Sequence, residues 1–465
     1  MVTYIVAAFL LGYACIALES VLKVNKAAPA LLMCVACWVL YMINPEPFVS
    51  LMHPEAWRAF AGEFAGAGSA VGAFVSEHIL LSHLGDTCEI LFFLMGAMTI
   101  VEIVDANGGF NFVRDRLQTA SKRKLLWRIA FMTFVLSAIL DNLTTSIVMI
   151  MVLRKLVADR KDRMTYAALV ILAANSGGAF SPIGDVTTIM LWIKGNITTV
   201  GVIKEVFLPS VVSVVVPALI LQRRLKGTLP APEAAAPSGS LQFSDAQRSV
   251  VFWLGVGGLM FVPVFRFLTG LPPFMGILLV LGLLWTTTEL FYRASGEEEE
   301  GAQHRVTQLL SRIDMSTILF FLGILMAVAT LAETGVLSAF GRELNEASGG
   351  NHYVVTGVIG IVSSIVDNVP LVAGCMGMYD VATPAAVAAQ PALTDFAVDG
   401  IFWQLLAYCA GVGGSMLIIG SAAGVIVMGL EKITFGWYLR HISWVALAGY
   451  LAGIATYWLE KALGM

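Results

Sequence analysis

Long apolar runs, separated by short polar segments, dominate the chain and determine its predicted architecture. Most runs stay apolar for about 20 residues, the length that a helix needs to cross a bilayer. A transmembrane β-barrel would instead alternate apolar and polar residues with a period of two. The pattern therefore predicts an all-α polytopic membrane protein. Its ten predicted spans lie near residues 3–20, 28–44, 84–104, 165–193, 203–221, 249–268, 274–292, 315–334, 400–430 and 441–460.

Two further apolar stretches, 125–157 and 353–380, lie between spans and predict helical hairpins. In the first hairpin, two arms of 16 residues meet at Asp141 and Asn142. A helix of that length is about 24 Å long, which is less than the ~30 Å hydrocarbon core. We therefore expect a re-entrant hairpin with its turn near mid-membrane; two short full spans are the alternative. Glycine and proline interrupt the spans at 165–193 and 400–430, which predicts two broken helices.

The charge of the loops predicts the orientation of these segments. Lys and Arg cluster in 105–163, 222–248 and 293–312, whereas none occurs between Glu343 and Glu431. Basic loops face the cytoplasm, so ten spans with both termini outside satisfy every loop. The run at 3–18 is then the first transmembrane helix rather than a secretory signal, because Lys23 and Lys26 follow it and no basic residue precedes it.

The two halves of the chain carry the same motifs in the same order. ILFFL occurs at 90–94 and at 318–322, DN occurs at 141–142 and at 367–368, and GG occurs at 177–178 and at 413–414. Because the predicted orientations are opposite, the chain is an inverted repeat with two re-entrant hairpins and two broken helices, as is typical of secondary transporters. The predicted divisions are N-terminal helices and an outer loop (1–83), the first repeat (84–221), a cytoplasmic linker with connecting helices (222–312), and the second repeat with the C-terminal helix (313–465).

Composition narrows the possible function classes. The chain is 58% hydrophobic and 13% charged, with a net charge of −4, so we expect the lipid bilayer as its surroundings and no nucleic-acid partner. Its six cysteines lie in apolar runs and predict neither a disulfide nor a thiolate metal site. The sequence contains neither HExxH nor GxSxG. We therefore expect a protein that is not an enzyme and that has no cofactor.

The hairpin tips hold the sharpest candidates for ion chemistry. A carboxylate at membrane depth is neutralised by a proton or by a bound cation, and competition between the two is sufficient for exchange. Asp141 and Asp367 supply the carboxylates, and Asn142 and Asn368 supply amide oxygens that suit Na⁺. We predict that Na⁺ binds at these four residues; the alternative is that each Asp only caps the second arm of its hairpin. Further candidate ligands near the tips are the hydroxyls of Ser137, Thr144 and Ser363.

Polar groups also collect at the helix breaks. The glycines at 177–178 and 184, with Pro182, interrupt the first broken helix and expose carbonyls that can coordinate a cation. Asp185 is a third intramembrane carboxylate, and its counterpart in the second copy is Ser421. Capping of the helix that starts at Val186 is the alternative role of Asp185. Further candidate ligands at the breaks are Asn175, Thr187, Thr188 and Ser415.

Three motifs resemble a known family. LDNLTT at 140–145, NSGGAFSPIGDVTT at 175–188 and SSIVDN at 363–368 are similar to the motifs of NhaD-type Na⁺/H⁺ antiporters, which belong to the ion transporter superfamily. The resemblance covers residues 84 to 460. It implies paired re-entrant hairpins and broken helices, a homodimer, and exchange of Na⁺ or Li⁺ for H⁺ across a bacterial inner membrane. The family's polar motif positions correspond to Ser137, Asp141, Asn142, Asn175, Asp185, Thr187, Thr188, Ser363, Asp367 and Asn368.

Dicarboxylate carriers of the same superfamily resemble the chain as well, but they carry Ser-Asn-Thr at the hairpin tips, where hydroxyls receive an anion. Asp at both tips of this chain repels a dicarboxylate and attracts a cation. The leading hypothesis is therefore a multi-pass antiporter whose cargo is Na⁺ or Li⁺ and H⁺, which compete for Asp141, Asp185 and Asp367. The alternative is a Na⁺-coupled carrier of a small anion such as a dicarboxylate.

Overall fold

The computed structural model describes residues 1–18, 22–64, 69–110, 116–225, 227–229, 243–294, 308–365 and 367–464. The regular elements in these ranges are helices, and extended pairing is confined to two isolated bridges. The predicted all-α fold is therefore confirmed. Much of the predicted cytoplasmic linker, at 230–242 and 295–307, lies outside the described ranges.

The helices of the first half follow the predicted apolar segments. The structure has α1 Val2–Ala17, α2 Ala27–Ile43, α3 Glu46–Met52, α4 Pro54–Glu63, α5 Ala70–Ala106 with a π-helical turn at Val75–Leu80, α6 Lys122–Leu140, α7 Asn142–Leu156, α8 Arg160–Ala179, α9 Val186–Ile193 and α10 Thr199–Leu221.

The helices of the second half do the same. They are α11 Asp245–Thr269, α12 Pro273–Ala294, α13 Met315–Glu333, α14 Val336–Ala347, α15 His352–Ser363, α16 Asn368–Met378, α17 Pro384–Ala389, α18 Ile401–Gly413, α19 Ala422–Glu431, α20 Phe435–His441 and α21 Ser443–Ala462. A short 3₁₀ helix, Pro391–Phe396, precedes α18.

Both predicted hairpins and both predicted breaks are present. The first hairpin is α6–α7, which turns at Asp141, and the second is α15–α16, which turns just before Asn368. The broken spans are α8–α9 and α18–α19. By length and apolarity, five helices in the described ranges can each cross a membrane, or up to seven if each of two bent pairs forms one span. The count of ten spans stays a prediction.

The described chain separates into two compact units. The first unit consists of Met1–Phe92, Asp314–Val355 and Val369–Val381. The second unit consists of Phe93–Ile313, Thr356–Asn368 and Ala382–Met465, and it contains every predicted site residue.

In the second unit, both repeats press a broken helix against a hairpin in the same way. A Cβ atom added at Gly177 would lie 2.2 Å from the carbonyl oxygen of Phe134, and one added at Gly413 would lie 2.2 Å from that of Gly360. Both distances are far below any normal contact, so only glycine permits this approach of α8 to α6 and of α18 to α15. The repeat predicted from sequence motifs therefore reappears as matched backbone contacts.

Candidate cation site at the hairpin tips and helix breaks

The first hairpin tip holds its aspartate firmly. Asp141 caps α7: one carboxylate oxygen accepts the backbone N–H of Thr144 at 2.7 Å, and the other accepts the Thr144 hydroxyl at 2.9 Å. Its φ of 92° lies in a region that non-glycine residues rarely adopt. Such strained backbone persists only where the surroundings impose it, and it is concentrated at functional sites.

The second tip carries the same Asp-Asn pair with a different helix behind it. Asn368 begins α16, and Asp367 precedes it. The position that matches Thr144 is Pro370, which has neither a hydroxyl nor a backbone N–H. The residue at position 370 therefore cannot repeat the two hydrogen bonds that Thr144 donates to Asp141.

At the first helix break, Asp185 caps α9 and forms a capping box with Thr188. One of its carboxylate oxygens, Oδ1, accepts the backbone N–H of Thr187 at 3.2 Å. The Asp185 side chain lies in the interior, with only 2% of the residue exposed. The proposed alternative, a cap, is thus part of its role, and it leaves Oδ2 available for other partners.

That second oxygen joins the two hairpin tips. Asp185 Oδ2 accepts an amide N–H from Asn142 at 2.9 Å and another from Asn368 at 3.4 Å. One buried carboxylate is therefore the common acceptor for the Asn side chains of both repeats. Burial of a charged group without compensation is costly, so the two amides stabilise its ionised form.

Asn175 extends the network to the second helix break. Its Oδ1 accepts from Asn142 at 3.1 Å, and its Nδ2 donates to the hydroxyls of Ser415 and Ser421, each at 2.9 Å. Ser421 in turn caps α19. Both tips and both breaks thus belong to one connected set of buried polar groups, in which the assignment of amide nitrogen and oxygen follows from the hydrogen bonds.

Ser137 and Ser363 have matched roles in the two repeats. Ser137 donates its hydroxyl to the carbonyl of Ala174 at 2.6 Å, and Ser363 donates to that of Ala410 at 2.8 Å. Each hydroxyl hydrogen is used in tying a hairpin to a broken helix. Their role as cation ligands stays a prediction, for which the oxygen lone pairs remain.

A small apolar cavity in the second unit borders Asp141. Phe93, Leu94 and Ala97 of α5 line one side of it, and Ile183 and Leu259 contribute on another. Asp141 is the one charged residue in this lining. The cavity therefore places a carboxylate at the edge of apolar space, where its charge is least screened by water.

Some contributors gave no signal in the sequence. Tyr438 is fully buried, and its hydroxyl donates to the backbone carbonyl of Ser415 at 2.8 Å, so it supports the second break from a separate helix, α20. Glu431 accepts from Arg154 and Arg163, whose positions in the sequence mark them only as members of the basic stretch at 105–163. Residues so far apart in the chain show no spacing that would pair them.

Inverted repeats whose hairpin tips and helix breaks meet in one buried polar network define a secondary transporter. A family model described as citrate transporter (CitMHS) matches residues 13–399 of the chain. Sodium/proton antiporters 1 and 2 of Arabidopsis thaliana are 46% and 43% identical over 97% of this chain, covering 71% and 97% of their own lengths. The Na⁺/H⁺ antiporter NhaD of Vibrio cholerae is 29% identical over 97% of this chain and 90% of its own. The chain belongs to the NhaD-type antiporter family of the ion transporter superfamily.

A solved structure supports the architecture. The crystal structure of the Alcanivorax borkumensis YdaH transporter, whose title describes an unusual topology, matches 90% of this chain and 97% of its own with a TM-score of 0.57. Because the two sequences are only 11% identical, the likeness concerns the fold alone. The family model and the antiporter relatives, rather than this likeness, show that the protein is a multi-pass membrane transporter.

Proposed function

We propose that the protein exchanges Na⁺ or Li⁺ for H⁺ by competition of cation and proton for the carboxylates of Asp141, Asp185 and Asp367. The observation that carries this proposal is the buried Asp185 carboxylate, which accepts amides from both hairpin tips. Neutral amides offset part of the cost of the buried charge, and a bound proton or cation removes the rest. Ions are the cargo in this proposal, and no cofactor takes part.

The ligands around Asp185 suit a hard cation. Rotation of the amides of Asn142 and Asn368 exchanges N–H for oxygen at nearly the same position, which converts donors into ligands. The C-terminal ends of α8 and α18 bring backbone carbonyls to the breaks, as in other transporters that bind Na⁺. Oxygen donors of this kind are those that Na⁺ and Li⁺ prefer.

A Na⁺-coupled anion carrier is the second candidate, because the matching family model is described as a citrate transporter. In a Na⁺-coupled anion carrier, the same carboxylates would hold only the coupling ion. Three carboxylates repel an anionic substrate, and no Lys or Arg occurs at 129–153, 164–193 or 343–431, the segments that form the site. The charge distribution therefore favours the exchanger.

Everted vesicles that hold a pH gradient test the proposal. Addition of NaCl or LiCl is expected to collapse the gradient, whereas KCl or a dicarboxylate is not. Activity should rise with pH as protons leave the carboxylates, and then fall when protons become scarce. A flat profile between about pH 6 and about pH 9 would contradict competition at a shared site.

Two substitutions make the test specific. Asp141→Asn and Asp367→Asn should each abolish exchange while the protein remains in the membrane, because Asn keeps the shape without the exchangeable charge. Near-normal exchange in both variants would overturn the proposal. If the cations have no effect but a labelled dicarboxylate enters with Na⁺, the anion carrier is correct.

We further propose that the protein works as a homodimer in a bacterial inner membrane. The bacterial NhaD relatives support this location, whereas other relatives come from a plant. Membrane fractionation of the native host tests the location. Exposed apolar side chains such as Trp253 and Phe267 on α11 suit lipid or a second copy. Native mass spectrometry at low detergent should show a dimer with bound lipid; a monomer would exclude it.

A further inference from the structure

One charged cluster in the second unit lies away from the ion site. Glu431 ends α19, and its side chain is only 1% exposed. Oε1 accepts from Nε of Arg154 at 2.8 Å, and Oε2 accepts from Nε of Arg163 at 2.7 Å. Both oxygens of a buried carboxylate are thus held by separate guanidinium groups.

This cluster differs from an ordinary surface ion pair. A surface pair contributes little because water screens it, but a buried carboxylate that loses its partners is left uncompensated. Arg154 and Arg163 keep part of their guanidinium groups in solvent, at 45% and 21% side-chain exposure. The arginines therefore pay a small desolvation cost, while Glu431 depends on both of them.

The same arginines close helix ends. Arg154 also donates to the carbonyl of Leu430 in the last turn of α19. Arg163 donates to the carbonyls of Val157 and Ala158, which follow the C-terminus of α7, at 3.0 and 3.2 Å. Positive charge at these C-termini is favourable, since the last carbonyls have no partners within the helix.

The cluster joins helices of the two repeats: Arg154 lies on α7 and Arg163 on α8, both in the first repeat, and Glu431 ends α19 in the second. Helix α7 is the second arm of the first hairpin, and α19 is the second half of the second broken span; they pack against each other. At their N-termini they are linked through Asn175, which contacts both Asn142 and Ser421. Helices α7 and α19 therefore run parallel and are linked at both ends. The two links lie about 15 Å apart along α19.

We infer that Glu431 is a positioning residue that holds the ion site together from the far end of these helices. The cluster fixes α7 against α19, and this fixes Asn142 against Ser421 across Asn175. Loss of the cluster lets the two N-termini separate. This lowers the affinity for the cation more than it lowers the rate of the conformational change. This inference rests on the proposed exchange of Na⁺ for H⁺.

The test measures exchange against Na⁺ concentration in everted vesicles, normalised to the amount of protein. Glu431→Gln should raise the KM for Na⁺ about ten-fold with less than about a three-fold fall in the maximal rate, and Arg163→Gln should raise KM by a smaller factor. The double variant should be no worse than Glu431→Gln alone, because both changes break one unit. Glu431→Asp, which keeps the charge, should recover part of the affinity.

Arg160→Gln is the matched control. Arg160 lies beside the cluster and donates to the carbonyl of Lys432 at 3.3 Å, with no bond to Glu431. The KM of Arg160→Gln for Na⁺ should equal that of the wild type. If Glu431→Gln and Arg163→Gln lower only the maximal rate, or if their effects add, the inference is wrong. Stabilisation of the purified wild type against heat by NaCl, together with its exchange activity, tests the proposed function separately.

Discussion

The two hairpin tips share an Asp-Asn pair, yet they hold the aspartate in different ways. Asp141 is bound twice by Thr144 and adopts a strained φ of 92°, whereas the position that matches Thr144 in the second tip is Pro370, which has neither a hydroxyl nor a backbone N–H. The asparagines, by contrast, behave alike and converge on Asp185. The amides of the two copies are thus used alike, whereas the residue three positions after each acid differs in what it can donate.

Apart from the loss of exchange expected in Asp141→Asn and Asp367→Asn, the largest expected effect comes from the residue that the two tips share. Asp185→Asn removes the negative charge and replaces one of the two accepting oxygens by an NH₂ donor, so the bonds from the two amides lose their charged acceptor, at about 1.5–3 kcal/mol for each. Exchange should fall by at least about 100-fold, since 1.4 kcal/mol corresponds to a factor of ten. The measurement is Na⁺-driven collapse of a pH gradient per amount of protein. Ser421→Ala, at the matching position, is the control and should cost less; comparable losses would mean that the breaks are equivalent.

The strain at Asp141 gives a second comparison, in stability. Asp141→Gly should be more stable than Asp141→Ala by about 1–3 kcal/mol, because glycine adopts a positive φ freely. Thermal unfolding of the two purified variants in one detergent checks this. Equal stabilities at position 141 would show that the tip is not strained.

The smallest effect concerns the hydroxyl that holds Asp141. Thr144→Val keeps the backbone N–H and the shape but removes one bond to the Oδ2 carboxylate oxygen, which is worth about 1.5–3 kcal/mol. Exchange should fall at least about ten-fold, while Thr145→Val, the adjacent position, serves as a control for a lost hydroxyl. If Thr144→Val instead matches Asp141→Asn in severity, the hydroxyl is itself a ligand of the cation.

The sequence was sufficient to locate the hairpins, the breaks and the repeat. Apolar length and glycine position act locally, so the turn at Asp141 and the break after Ala179 were visible as patterns. The candidate residues were also identified, although their roles as ligands stay predictions. What the patterns could not show is which groups touch: the approach of Asn368 to Asp185 depends on tertiary packing across 183 residues.

Two other features were hidden for physical reasons. The backbone strain at Asp141 is imposed by the surrounding fold, because Asp as a residue type accommodates a positive φ only somewhat better than most. The ion pair between Glu431 and Arg154 joins residues that are 277 positions apart in the chain. In the sequence, Arg154 is one of many basic residues in a predicted loop, and Glu431 follows an apolar span. Both features are consequences of how the repeats pack, which no local pattern encodes.

The helix ends at the site have a consequence for how long an ion stays. Four helices, α7, α9, α16 and α19, start there with their N–H ends, and two, α8 and α18, finish there with their carbonyl ends. The N–H ends oppose a positive ion by a few tenths to about 1 kcal/mol each and favour the empty, ionised acids. Such an arrangement shortens the dwell time of the cargo. Weak binding of the ion suits a transporter, because each transport cycle ends only when the bound ion is released.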